Sequence, residues 1–129
     1  MPSPSQVVRS EEALPPLPAF SQAIVSKGFV FASGNLGITR EGKLIGGIQE
    51  QTRAALENMG KVLKAANSGL EHVVKCNIYV TDFKEFAALN EVYTEFFPKD
   101  AMPARTCVGV ASLPFGASVE IECTAEVAT

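Results

Sequence analysis

The sequence predicts an α+β domain in which one sheet of about six strands carries two helices on one face. Three observations lead there. Short runs alternate apolar and polar residues at period two, as half-buried strands do. Two longer runs repeat their apolar residues at steps of three and four, as amphipathic helices do. Glycine, proline and small polar clusters punctuate the boundaries. In chain order the elements read β-β-β-α-β-α-β-β, and such a mixture buries its apolar surfaces as a sheet layer against a helix layer. At 129 residues the chain is one domain, residues 1–129, with room for a core of its own.

The first 22 residues hold Pro2, Pro4, Pro15, Pro16 and Pro18. Gln6 to Arg9 is a short edge strand at most. Leu14 to Phe20 is extended, because its prolines remove amide donors and keep the backbone out of the helical region. Ala23 to Ser26 and Phe29 to Ser33 read as strands joined by the two-residue hairpin Lys27-Gly28. Ser33-Gly34-Asn35 ends the second of these, and a glycine there lets a backbone or a ligand come close. Residues 35–47 are a polar, glycine-rich loop.

A helix is predicted from Ile48 to about Asn67. Ile48, Thr52, Leu56, Met59, Leu63 and Ala66 line one face; Glu50, Arg53, Glu57, Lys61 and Lys64 line the other. Its charge drifts from acidic to basic, which suits the helix dipole, and Ser68-Gly69 stops it. Val73 to Val80 is a strand, with Val74, Cys76, Ile78 and Val80 on its apolar face and Lys75, Asn77 and Tyr79 on a mixed one. Asp82 caps a second helix, with Glu85 placed for a capping box. Phe83, Phe86, Leu89, Tyr93, Phe96 and Phe97 form its core face, and Pro98 ends it. Asn90 lies on or beside that face, where an amide needs partners. It is either a structural tie to the backbone or a pocket amide.

Composition narrows the function. The net charge is −3 and no basic stripe is visible. That speaks against nucleic acid as the main partner, since phosphate binding needs clustered Lys and Arg. No apolar run approaches bilayer-spanning length, so no membrane association is expected. The amino terminus shows no signal-peptide pattern, and Glu11 and Glu12 follow Arg9, against a transit peptide. The expected compartment is the cytoplasm; a mitochondrial setting is the alternative, without a visible presequence. Cys76, Cys107 and Cys123 are an odd number without C-x-x-C, which fits a reducing compartment. Cys76 and Cys123 read as small core residues. His72, the one histidine, reads as a surface or loop residue before a strand, with no ligand spacing around it, and no metal site is expected.

The carboxy-terminal quarter carries the chemistry. In Pro103-Ala104-Arg105-Thr106-Cys107-Val108-Gly109-Val110, Arg105, Cys107 and Gly109 share one strand face. In Ser118-Val119-Glu120-Ile121-Glu122-Cys123, the apolar face is Val119, Ile121 and Cys123, and Glu120 lies on the other. Leu113-Pro114-Phe115-Gly116 breaks the chain between the two strands. Arg105 and Glu120 then sit on the less apolar faces of their strands, beside Lys75, Asn77, Tyr79 and Cys107 on the open sheet surface. Two readings fit: a cross-strand ion pair, worth little if exposed, or an anion clamp facing an acid–base carboxylate. The open face is too mixed for a second core. A symmetric oligomer that covers it would put polar pockets at subunit boundaries.

These residues also carry a resemblance. Over essentially its whole length the chain resembles the RidA (YjgF-type) reactive-intermediate deaminases. The similarity is strongest in Pro103-Ala104-Arg105-Thr106-Cys107-Val108 with Val110, Leu113-Pro114, and Val119-Glu120-Ile121-Glu122. Ser21-Gln22-Ala23, Ser33-Gly34, Val74-Lys75, Asn90, Tyr93 and Phe96-Phe97 add to it. The resemblance implies a chorismate-mutase-like fold and a homotrimer with sites between subunits. It implies hydrolysis of 2-imino acids, formed from 2-aminoacrylate or 2-aminocrotonate released by pyridoxal-phosphate enzymes, to 2-oxo acids and ammonia. It implies no cofactor.

Carried over by position, Arg105 would bind the substrate carboxylate, and Glu120 would orient or deprotonate the attacking water. Cys107 would contribute through its backbone, and Ser33, Gly34 and Asn90 would line the pocket. One departure stands out: Phe20 occupies a position where the family usually has tyrosine, which keeps an aromatic wall and removes a hydroxyl. A non-catalytic 2-oxo-acid-binding or chaperone-like trimer, and an endoribonuclease or translation inhibitor, are the competing functions.

Overall fold

The computed structural model of the chain describes residues 5–129; Pro2 and Pro4 lie outside them. The predicted element order is observed. Strands β1 (Gln6–Val8), β2 (Ala23–Ser26) and β3 (Phe29–Leu36) precede helix α1 (Ile48–Ala65). Strand β4 (Val73–Val80), helix α2 (Phe86–Tyr93) and strands β5 (Ala104–Gly109) and β6 (Val119–Glu126) follow. The six strands form one mixed sheet in the order β1-β2-β3-β6-β4-β5. Among the described residues only β4 and β5 pair in parallel. The last strand in sequence therefore lies in the interior of the sheet, and β5 becomes an edge.

Local chemistry accounts for the elements. Lys27 and Gly28 take φ of 50° and 83°, the doubly left-handed hairpin turn that matches strand twist. From α1, Thr52, Ala55, Leu56, Met59, Val62 and Leu63 are buried. They pack over Val30, Cys76, Ile78, Ile121 and Ala125 of the sheet, so one sheet face and the helices share the core.

Several boundaries differ from expectation. Asn67, rather than Ser68-Gly69, closes α1. It adopts φ of 56°, its N–H donates to the Lys64 carbonyl at 3.1 Å, and the Ser68 N–H donates to that of Leu63 at 2.9 Å. A left-handed residue satisfies the last carbonyls in this way, and asparagine tolerates that conformation. Helix α2 is shorter than predicted, flanked by 3₁₀ turns at Phe83–Glu85 and Thr94–Phe96. Asp82 caps the first turn, accepting from the Lys84 N–H at 3.0 Å. Phe83 is exposed and stacks on Phe86 with ring centres 4.9 Å apart. A register shift between Val73 and Lys75 puts Val73 in the core and turns Val74 outward.

The departure that matters most for the site is in β3. This strand runs through Ser33-Gly34-Asn35 to Leu36 and carries one extra residue against β6 between Ala32 and Asn35. Such a bulge bends a strand and re-aims its neighbours. Helix α1 holds it in place: Asn58 Nδ2 donates to the carbonyls of Leu36 at 3.0 Å and Ile38 at 2.9 Å.

Candidate active site

Strand register decides where the charged residues point. Arg105 is in register with Cys76, and Cys76 with Cys123; both cysteines are buried beneath the helices. Residues paired in register share a sheet face, and successive residues alternate. Arg105 and Cys107 therefore point to the helix side, and not to the open face where the sequence pattern put them. Thr106 and Val108 occupy the open face of β5, with Val108 42% exposed. Glu120 is in register with Tyr79 and Leu36 and lies on the open face.

Arg105 and Glu120 thus occupy opposite faces of the sheet, with β4 between their strands. The cross-strand ion pair is excluded, and neither residue joins any ion pair among the described residues. Polarity misled because β5 is an edge strand. Its inner face meets the rim of α2, which offers a cation partners that a core would not.

Those partners define the first half of the site. Arg105 NH1 donates to Asn90 Oδ1 at 2.6 Å. The guanidinium carbon lies 4.9 Å from the Tyr93 ring centre and 5.3 Å from that of Phe86. Amide and aromatic faces together fix a planar cation whose remaining N–H groups stay free for a carboxylate. Asn90 is therefore tied to a side chain, and its contact serves Arg105. Cys107 sits on the same side, half-buried against the core. Burial pushes its thiol upward in pKa, against the opposing charge of Arg105.

The second half is built around the β3 bulge. A Cβ added to Gly34 would lie 2.5 Å from Glu120 Oε2, so only glycine leaves the carboxylate its place. Gly34 is not among the positive-φ glycines; space, and not backbone conformation, demands it. Burial, and then the charge of Glu122, raise the Glu120 carboxyl above its ordinary value. Glu122 itself accepts a hydrogen bond from the Tyr79 hydroxyl. Ser33 Oγ donates to the Ser21 carbonyl at 2.6 Å, tying the bulge to the segment that carries Phe20. Phe20, Ser33, Gly34 and Glu120 meet at a cavity of about 430 Å³.

The seven predicted residues therefore fall into two groups. Arg105, Asn90 and Cys107 stand together on the helix side, and Phe20, Ser33 and Gly34 join Glu120 at the cavity, which Asn58 and Val62 of α1 also line. Sequence reasoning missed Phe115, which lines the cavity with φ of 61°, a conformation rare for a bulky side chain. It also missed Gln51, buried in α1, whose Oε1 accepts from the Ser118 N–H at 2.9 Å and so sets the start of β6 two residues before Glu120. A polar residue on the packed face of a helix was the available signal for Gln51; Phe115 had none beyond Gly116 after it. Among the described residues no group of three or more His, Cys, Asp or Glu stands close enough to hold a metal.

The chain is similar to known proteins in sequence and in fold. A family model described as Endoribonuclease L-PSP matches residues 10–127. The mitochondrial protein mmf2 of Schizosaccharomyces pombe is 47% identical over 109 residues, covering 82% of this chain and 86% of that protein. The chloroplastic Reactive Intermediate Deaminase A of Arabidopsis thaliana is 42% identical over 122 residues, covering 93% of this chain and 65% of that protein. The crystal structure of yeast Mmf1 superposes with a TM-score of 0.92 at 35% identity, covering 97% of this chain and 100% of that one. With the motif residues, the sheet order and these relatives in agreement, the chain belongs to the RidA (YjgF-type) family of reactive-intermediate deaminases.

Proposed function

We propose that the protein hydrolyses 2-imino acids to 2-oxo acids and ammonia, at sites completed by two copies of the chain in a homotrimer. One observation carries this reading: a cation held by Asn90 and two aromatic rings, and a carboxylate with no ion-pair partner among the described residues, sit on opposite faces of one sheet. A second copy laid against the open face brings the Arg105 group of one subunit to the Glu120 group of the next. Exposed Phe31 and Val108 on that face also argue for a cover.

The chemistry then divides between the copies. Arg105 takes the substrate carboxylate through the donors that Asn90 leaves free. An imine carbon is already electrophilic, more so when its nitrogen is protonated. Glu120 accepts a proton from a water as its oxygen adds to C2, giving a tetrahedral amino alcohol. Glu120 returns that proton to the nitrogen; as the C–N bond breaks and ammonia leaves, the Glu120 carboxylate takes the proton of the new hydroxyl, and C2 becomes the 2-oxo carbon. Holding carboxylate and water in one geometry supplies much of the acceleration. The Cys107 thiol, pushed upward by burial, is poorly suited to act as a nucleophile, and its backbone is the part assigned to the site.

The test is complementation. Arg105→Ala and Glu120→Gln homotrimers are each expected to lose most 2-iminobutyrate hydrolysis. When the two are unfolded together and reassembled in equal amounts, random pairing leaves about a quarter of the sites with both native residues. About a quarter of wild-type activity should return. A folded mixture with no recovery would sink the two-copy site, and wild type no faster than buffer would sink the reaction.

The name of the matching family model keeps a ribonuclease reading open. A net charge of −3 and a single histidine weigh against it. RNA cleavage that copurifies through ion exchange and vanishes in Arg105→Ala would restore it. A non-catalytic 2-oxo-acid binder would hold pyruvate with wild-type affinity and show no turnover. Relatives named as mitochondrial support a mitochondrial setting beside the cytoplasmic one expected from sequence, and cell fractionation decides between them.

A further inference from the structure

We infer that this protein prefers 2-imino acids with extended apolar side chains over those with methyl or ethyl groups. The inference rests on the deaminase reading and assigns a role to the cavity beside Glu120. A 2-imino acid has three substituents on C2. The carboxylate goes to Arg105, and the nitrogen needs only a path for ammonia to leave. The side chain is left to occupy whatever space adjoins the reacting carbon.

That space is large and apolar. The cavity of about 430 Å³ has Leu17, Phe20, Ile38 and Phe115 among its apolar walls, with Ser33, Gly34 and Glu120 and the amides of Gln22, Asn35 and Asn58 as its polar part. An ethyl group needs about the space of two waters, roughly 60 Å³, and would leave most of the cavity unfilled. Isobutyl, thioether or benzyl groups fill it better. Phe20 adds to the apolar lining, since its ring carries no hydroxyl. Among the described residues Glu120 is the one ionisable residue in the lining. An acidic side chain would therefore meet a like charge and no cation, and a basic one would pair with the carboxylate that the reaction needs free.

The experiment generates imines in situ with an amino-acid oxidase and traps them with semicarbazide, so that a fall in semicarbazone reports hydrolysis. The substrates come from alanine, 2-aminobutyrate, norvaline, norleucine, methionine, phenylalanine and glutamate. Along the unbranched series kcat/KM should rise about fourfold per added methylene. The glutamate imine should fall at least tenfold below the methionine imine. Leu17→Ala and Phe115→Ala, both at exposed positions, should lower the ratio of norleucine to 2-aminobutyrate rates.

Hydrolysis with a flat or falling profile overturns this inference and leaves the deaminase reading standing. An unchanged ratio in both variants overturns it as well. If no imine is hydrolysed, the deaminase reading fails, and calorimetry with the matching 2-oxo acids then tests the cavity alone. Affinity rising about fourfold per methylene upholds an apolar side-chain site, and affinity independent of length removes it.

Discussion

Replacing Gly34 with alanine is expected to remove most of the activity and little of the stability. The new Cβ would lie 2.5 Å from Glu120 Oε2, 2.6 Å from its Cδ and 2.8 Å from its Cγ. Ordinary contact begins near 3.5 Å, so the carboxylate must retreat by about 1 Å. It can do so, because it is the end of a flexible side chain at the mouth of a cavity. Gly34 is exposed and not in the left-handed region, so alanine strains no dihedral, and Tm should fall by less than about 4 °C. A catalytic group displaced that far loses about 10²-fold in rate, equal to about 2.7 kcal/mol of barrier.

The assay is kcat and KM on 2-iminobutyrate for wild type, Gly34→Ala, Glu120→Gln and the double variant, with Tm measured on each. Because Gly34 acts through Glu120, the double variant should be no slower than Glu120→Gln alone. Wild-type kcat/KM in Gly34→Ala, or a double variant showing the full product of the two single losses, would refute the reasoning.

The remaining predictions concern Arg105 with Asn90, and the titration of Glu120. Arg105→Lys keeps the charge but loses the planar fork and its tie to Asn90, and should raise KM about 10- to 100-fold. Asn90→Asp places a carboxylate on the same guanidinium and should also raise KM; substrate binding as tight as wild type would show that Asn90 does not hold Arg105 for the substrate. Activity should rise with pH as Glu120 ionises, with an inflection above that of an ordinary glutamate, because burial first and Glu122 second raise it. Removing the charge in Glu122→Gln should move that inflection to lower pH. The stability sign is the reverse: a carboxyl raised by folding favours the folded state while protonated, and that contribution is lost as pH rises through the raised value. Glu120→Gln should thus raise Tm at neutral pH, and an unchanged or lowered Tm contradicts a burial-strained carboxylate.

The sequence by itself determined the elements, their order and most of the residues that matter. Periodicity is a local property, so it placed Arg105 and Glu120 on strands, the α1 core on one helix stripe, and Cys76 and Cys123 in the core. Residue similarity over the carboxy-terminal quarter pointed to the family and to the site residues. Where local signals compete, boundaries moved: asparagine ended α1 through its tolerance of a left-handed turn, and the β3 bulge carried a strand through Ser33-Gly34-Asn35. Only the tertiary structure decided which faces these residues share. The insertion of β6 between β3 and β4, and the exile of β5 to the edge, depend on pairings between segments distant in sequence. No alternation pattern within one strand records which neighbour it will meet. For that reason polarity put Arg105 beside Glu120 on an open surface, while the register turned Arg105 toward α2 and left Glu120 over Gly34 on the opposite side. The separation of the two charges, and with it the case for a site made by two copies, comes from the sheet order.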